Sequence, residues 1–169
     1  MQGIKFIKAA GMMTSLALLA ACATDGPTID TTTSAGTSAD QGPQGPIPGS
    51  QSDLEQNAGH RVFFATDQYS LSPQAQATLS RQAAWLKEYP EARIVVAGNC
   101  DERGTREYNL ALGARRAEAA RSFLTSLGVS SNRITTVSYG KERPLDGRST
   151  DEAWSLNRNA TTTISGANS

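Results

Sequence analysis

The stretch "GNCDERGTREYNLALGARRAEAA", Gly98 to Ala120, closes an apolar run with Asp101, Glu102 and Arg103 and then continues with a helical pattern. On a wheel of about 100° per residue, Leu112, Gly113, Ala117, Ala120, Phe123, Leu124 and Leu127 share one face, and Glu107, Arg115, Glu118, Ser122 and Thr125 the other. Asn109 and Arg116 fall on the apolar side, seven residues apart and nearly eclipsed. A guanidinium does not lose its proton, and leaving it unpaired in a core would cost several kcal/mol, so Arg116 must meet an anion or reach water. Two arrangements answer this. An internal Arg116–Asp101 ion pair would pin the loop. Alternatively, Arg116 takes a ligand carboxylate as a bidentate fork while Asp101 takes an ammonium, and an amino-acid zwitterion carries both groups.

Other chemistries lack their parts. "GNCDERG" does not have the glycine spacing of a phosphate-cradling loop. Adjacent Asp101 and Glu102 do not form the separated carboxyl pair of sugar hydrolysis. His60 stands alone, with no His, Cys or Glu cluster around it to bind a metal. Cys100 has no spaced His or resolving Cys and reads as a small packing residue. Trp85 and Trp154 read as core and rim fillers. The residues therefore give no enzyme chemistry, no metal site and no cofactor, and leave open a ligand-binding module or a protein-interaction scaffold that keeps Arg116 as an internal salt-bridge residue.

The elements that must position these residues follow from periodicity and punctuation. "RVFF" at Arg61 is a short strand. Ser72 and Pro73 start a helix whose Ala75, Leu79, Ala83 and Leu86 recur at helical spacing and which Pro90 stops. "RIVVAG" is a buried strand. Thr105 caps a helix from Arg106 to Leu127, with Gly128 at its end. "RITTVSYG" is a third strand, "AWSLNR" one helical turn and "NATTTISG" a last strand. This βαβαββ order predicts an α+β sandwich with a small mixed four-stranded sheet and two main helices on one face.

The chain has 169 residues, and not all of them belong to that sandwich. Residues 1–21 have a basic start at Lys5 and Lys8, an apolar run too short to span a membrane, and small residues before Cys22, the pattern of a cleaved secretory signal. "LAAC" at Leu19 to Cys22 resembles the lipobox of bacterial lipoproteins. That resemblance implies acylation of Cys22, with several chains making a stable anchor, and Ala23 after it implies the outer membrane. Residues 22–56, "CATDGPTIDTTTSAGTSADQGPQGPIPGSQSDLEQ", are poor in large apolar residues and predict a disordered tether, roughly 30–35 Å in root-mean-square reach. The domain is then 57–169. The formal net charge is zero, but five acids and no base lie between Ala23 and Gln56, leaving 14 bases against 11 acids from residue 57 onward. So mild an excess gives no footprint for nucleic acid. No heptad or large apolar patch is evident, which predicts a monomer.

The strings "RVFFATDQYSLSPQA", "GNCDERGTREYNLALGARRA", "VSYGKERP" and "NRNA" resemble, in order and spacing, the peptidoglycan-associated lipoproteins of the OmpA C-terminal-like domain family, over about residues 60–165. The resemblance implies non-covalent binding of peptidoglycan through the diaminopimelate of its stem peptide. By position, Asp101 is similar to the acid that meets the diaminopimelate ammonium and Arg116 to the base that meets its carboxylate. Asn109 and Leu112 correspond to helix residues lining that pocket, and Asp67 to the acid of the first loop. It also implies TolB and other Tol proteins as partners and a role in envelope integrity and cell division. Three departures stand out: Ala65 where many relatives have Asp, Asn99 where His is frequent, and Asn159 in place of the second Arg of an "NRR" pattern.

Overall fold

The computed structural model describes residues 45–166. The signal segment, Cys22 and the tether up to residue 44 lie outside the described residues. Four strands, β1 (Arg61–Phe63), β2 (Ile94–Asn99), β3 (Ile134–Gly140) and β4 (Asn159–Ile164), form one sheet in the order β1-β4-β2-β3. β2 and β3 pair in parallel; β4 pairs antiparallel with both β1 and β2. The parallel pair needs a crossover, and α3 (Arg106–Ser126) supplies it. The expected α+β class and mixed four-stranded sheet are what the chain forms.

The capping residues read from sequence act as expected. The Ser72 hydroxyl accepts from the Ala75 N–H at 3.2 Å at the start of α2 (Pro73–Glu88), with Pro73 in the first turn. Thr105 accepts from the Tyr108 N–H at 3.2 Å to start α3. Gly128 follows the end of α3 at φ +92°, a conformation that costs a side-chain-bearing residue about 1 kcal/mol or more. Leu79, Ala83 and Leu86 of α2 and Ala117, Ala120 and Leu124 of α3 share one core with Val62, Ile94, Val96, Ile134 and Ala160 of the strands. α3 approaches β2 backbone to backbone. A Cβ at Gly98 would overlap the Gly113 carbonyl, and one at Gly113 would overlap Ser138 Oγ, so glycine at both positions sets the helix height over the sheet.

The expected boundary at residue 57 falls inside an ordered element. Residues 51–56, read as the end of the tether, belong to α1 (Gln51–Asn57), capped by Ser50. Leu54 is fully buried in the core, worth about 1.5–3 kcal/mol. Asp53 accepts from the Gly49 N–H at 2.8 Å and from Trp85 Nε1 at 3.0 Å. The Gly49 bond and those of Trp85 and Asn57 hold its carboxyl below its ordinary pKa against the upward pull of burial. One apolar residue in a polar stretch was too weak a signal to find this helix, because its partners lie in α2 and β4. Gln51 completes the dock: its Nε2 donates to Thr162 O at 3.4 Å and its Oε1 accepts from the Ile164 N–H at 2.8 Å. β1 is too short to cover the far half of β4, and the Gln51 amide stands in for the missing strand. A further short helix, α4 (Asp151–Asn157), capped by Thr150, fills the place of the expected single turn.

Candidate functional site

β1 and β2 both run antiparallel to β4 and therefore point the same way, so the loops that leave them meet at one pole of the sheet. There a cleft of about 310 Å³ is lined by Thr66, Asp67, Asp101, Arg103, Gly104 and Tyr108. Asp67 sits at φ 55°, a left-handed conformation that Asp tolerates better than most residues. The Tyr108 hydroxyl donates to Asp67 Oδ1 at 3.4 Å from across the cleft. Two acids twenty or more residues apart thus face one space, which is the first requirement for gripping an ammonium group.

Asp101 is nearly buried, at 7% exposure, and its arginine partners are not the Arg116 of the internal ion-pair arrangement. Its Oδ2 accepts from Arg103 Nη2 at 2.7 Å and from Arg158 Nη1 at 3.1 Å, while Oδ1 accepts from the Arg103 N–H at 3.2 Å. Burial pushes the Asp101 pKa up, but the Arg103 and Arg158 bonds outweigh it and leave it below the ordinary value. Arg103, whose own pKa Asp101 raises, lies 4.3 Å over the Trp154 ring. Trp154 Nε1 in turn donates to Glu102 Oε1 at 2.9 Å, so the rim tryptophan carries an arginine. Lys141 Nζ donates to the Glu102 and Gly104 carbonyls at 3.1 and 2.7 Å, clamping the loop on both sides of Arg103.

Arg116 is 1% exposed and makes no ion pair with Asp101. Its guanidinium is taken up by backbone. Nε donates to Gln68 O at 2.8 Å, Nη1 to Asn99 O at 2.8 Å and Cys100 Sγ at 3.4 Å, and Nη2 to Ala65 O at 3.1 Å. Four of the five N–H groups of a guanidinium are thereby used, and the Phe64 ring lies 5.2 Å from its centre. Burial pulls its pKa down while the Cys100 thiol, Asp101 and Asp67 act against that; an arginine stays charged throughout. In place of the internal ion pair, one of the two arrangements open to the sequence, a charge buried behind the loops ties the first loop (Ala65, Gln68) to the end of β2 (Asn99). Sequence could not show this, because carbonyl groups are present at every residue.

Asn109 and Leu112, expected to line the pocket, are buried at 2% and 5% exposure and are not among the residues that line the cleft. Asn109 Nδ2 donates to Arg103 O at 2.7 Å, bracing the loop from below. Arg103 and Tyr108 line the cleft in their place. Arg103 stands two residues after Asp101, the spacing at which an Asp side chain commonly meets backbone, and that was the available signal. The Cys100 thiol is buried and its pKa pushed up, as suits a packing role. Among the described residues no group of three or more His, Cys, Asp or Glu is placed to hold a metal ion.

The three departures also find places. Ala65 contributes its carbonyl to Arg116, which any side chain would allow. Asn99 and Asn159 meet each other: Asn99 Nδ2 donates to Asn159 Oδ1 at 2.9 Å. Arg158 Nε also donates to Phe64 O at 3.1 Å, joining the first loop's strand to the Asp101 wall.

The OmpA family pattern matches residues 63–158. The peptidoglycan-associated lipoprotein of Mesorhizobium japonicum is 59% identical over 122 residues, covering 72% of this chain and 73% of that one. The Haemophilus influenzae protein of the same name is 39% identical over 92% of this chain and 96% of its own, a match that extends N-terminally beyond the domain. Among solved structures, the peptidoglycan-associated lipoprotein from Burkholderia pseudomallei is 44% identical, covers 63% of this chain and 90% of its own, and has a TM-score of 0.61. The C-terminal domain of Helicobacter pylori MotB, 21% identical with a TM-score of 0.59, shares the fold.

Proposed function

Because the chain belongs to the OmpA family and groups there with the peptidoglycan-associated lipoproteins, we propose that its domain grips the stem peptide of peptidoglycan by the diaminopimelate side chain. It is a binding module, not an enzyme, as its relatives are. The observation that carries the reading is the convergence of Asp67, Asp101 and Arg103 on one cleft above the Arg116 guanidinium. The free end of diaminopimelate bears an ammonium beside a carboxylate. Acids on both walls receive the first; Arg103 at the rim, 43% exposed, and the remaining Arg116 N–H below draw the second. Asn109 and Leu112 support the floor.

The rest of the envelope role extends this reading. Acylated Cys22 anchors the chain in the outer membrane, and the tether confines the domain, as a monomer, to a thin shell near the wall. Confinement raises its effective concentration, so a modest pocket affinity suffices. Exposed Phe63 and Leu156 border a cavity of about 350 Å³ with Phe64, Ala65, Ser72 and Ser155. This apolar surface adjoins the cleft and suits a protein partner, which we assign to TolB of the Tol system acting in cell division.

Calorimetry of residues 41–169 with a diaminopimelate-containing muropeptide tests the central claim, a lysine-containing muropeptide being the control because it lacks the second carboxylate. Binding of the first and not the second is expected. Equal affinity for both, or none for either while the folded protein sediments with peptidoglycan, refutes diaminopimelate as the recognised group.

A further inference from the structure

The last backbone rung between β2 and β4 pairs Gly98 with Ala160. One step further toward the cleft the link continues through side chains, as Asn99 Nδ2 donates to Asn159 Oδ1 at 2.9 Å and to Ala97 O at 3.2 Å. Asn159 Oδ1 also accepts from Thr161 Oγ1 at 2.9 Å, and its Nδ2 donates to Leu156 O at 2.8 Å and Asn157 O at 3.3 Å. Both residues are buried, at 7% and 1% exposure. An apolar pair would fill this space with less desolvation cost, so what the amides add is direction.

Their neighbours are the groups that need it. The register of β2 against β3 shifts between Gly98 and Asn99, and an irregularity of that kind re-aims the chain that follows. Asp101 comes two residues later, and Asn99 O is itself held by Arg116. On the other strand Asn159 directly follows Arg158, whose Nη1 reaches Asp101 Oδ2 at 3.1 Å. The hydrogen bonds from Asn159 to the Leu156 and Asn157 carbonyls lock the turn out of α4 from which Arg158 projects.

We infer that the buried Asn99–Asn159 amide pair is a positioning device, holding the Asp101 and Arg158 arms of the cleft at ion-pair distance and thereby setting the affinity of the site. The effect on affinity rests on the cleft being the wall-binding site; the positioning itself does not. Asp101 is faced by Arg103 on its own loop, Arg158 before β4, Arg116 from α3 and Asp67 from the loop after β1, with Glu102 adjacent in sequence. Only the Arg158 arm depends on Asn159.

The test is an NMR titration of the Asp101 carboxyl in residues 41–169, without ligand, for wild type, Asn99→Ala, Asn159→Ala and the double variant. Each single substitution is expected to raise the Asp101 midpoint, and the double to raise it no further than the larger single, because the pair acts as one link. A purely structural role would lower thermal stability and leave the midpoint of the folded variants where it is; that result, or additive shifts, overturns the inference. Should Asn159→Ala fail to fold, Asn99→Ala decides, since Thr161 still satisfies Asn159 Oδ1 there. Muropeptide calorimetry on the same variants should show roughly tenfold weaker binding, within the range for residues in one hydrogen-bond network. A raised midpoint in a protein whose wild type binds no muropeptide supports positioning and refutes the wall-binding reading.

Discussion

Replacing Arg116 with Ala removes the donors from three backbone carbonyls and one thiol at once. The Asn99 bond is buried and those to Ala65 and Gln68 are partly so. At about 0.5–1.5 kcal/mol net per hydrogen bond, the loss of four comes to about 2–6 kcal/mol. That is a large share of the roughly 5–15 kcal/mol typical of a domain, and corresponds to a fall in Tm of about 10–20 °C. A fixed guanidinium that served only as a ligand fork would instead be removable with folding largely kept. Thermal and urea denaturation of Arg116→Ala and wild type separate the two cases, with peptidoglycan sedimentation done well below the variant's Tm. A Tm within about 2 °C of wild type would refute the argument that Arg116 holds the two loops together. Arg116→Lys should recover only part of the loss, since an ammonium is a point donor that cannot reach carbonyls spread around a planar fork.

Four further outcomes follow from individual contacts. Asp101→Asn should abolish most peptidoglycan sedimentation while leaving the domain folded; wild-type sedimentation by the folded variant would remove Asp101 from the site. The Asp101 pKa is depressed in the folded state, so its stabilising contribution is complete above its ordinary value near 3.8 and is lost as pH falls through the lower folded value. Wild type should therefore lose its Tm advantage over Asp101→Asn below about pH 4, and parallel Tm curves into acid would contradict this. Gln51→Ala should weaken the docking of α1 by about 1 kcal/mol and accelerate hydrogen exchange at the Ile164 amide, with no change at Val96 in the centre of the sheet. The Cys100 thiol, buried and with its pKa pushed up, should react with a thiol reagent only at the rate of unfolding; rapid native-state labelling would contradict its packing role.

The helical wheel placed Asn109, Leu112, Gly113, Arg116, Ala117, Ala120, Phe123, Leu124 and Leu127 on one side of the helix; the fold buries all of these except Phe123 and Leu127, which are half-buried against the core. Both helix starts were legible because a capping hydroxyl and a following N–H are three residues apart and need nothing else. α1 was not legible, since its stability comes from Trp85, Thr162 and Ile164, up to 113 residues away. The candidate site was half visible. Asp67 and Asp101 do converge, but the arginine at the rim is Arg103, and Asn109 and Leu112 are buried outside the cleft lining.

By itself, the amino-acid sequence determined that a charged group had to lie within the core side of α3, that it had to be met by something, and that the Asp101 loop would leave the end of a strand of a small sheet. These are consequences of periodicity and of the cost of burying charge, both local in origin. Only the tertiary structure decided what meets Arg116. The candidates in sequence were the neighbouring carboxylates, because they alone announce themselves by residue type. The fold instead turns the carbonyls of Ala65, Gln68 and Asn99 inward around the guanidinium, and assigns Asp101 to Arg103 and Arg158. Backbone acceptors carry no sequence signal and arginines are interchangeable by type, so distance in three dimensions makes the choice.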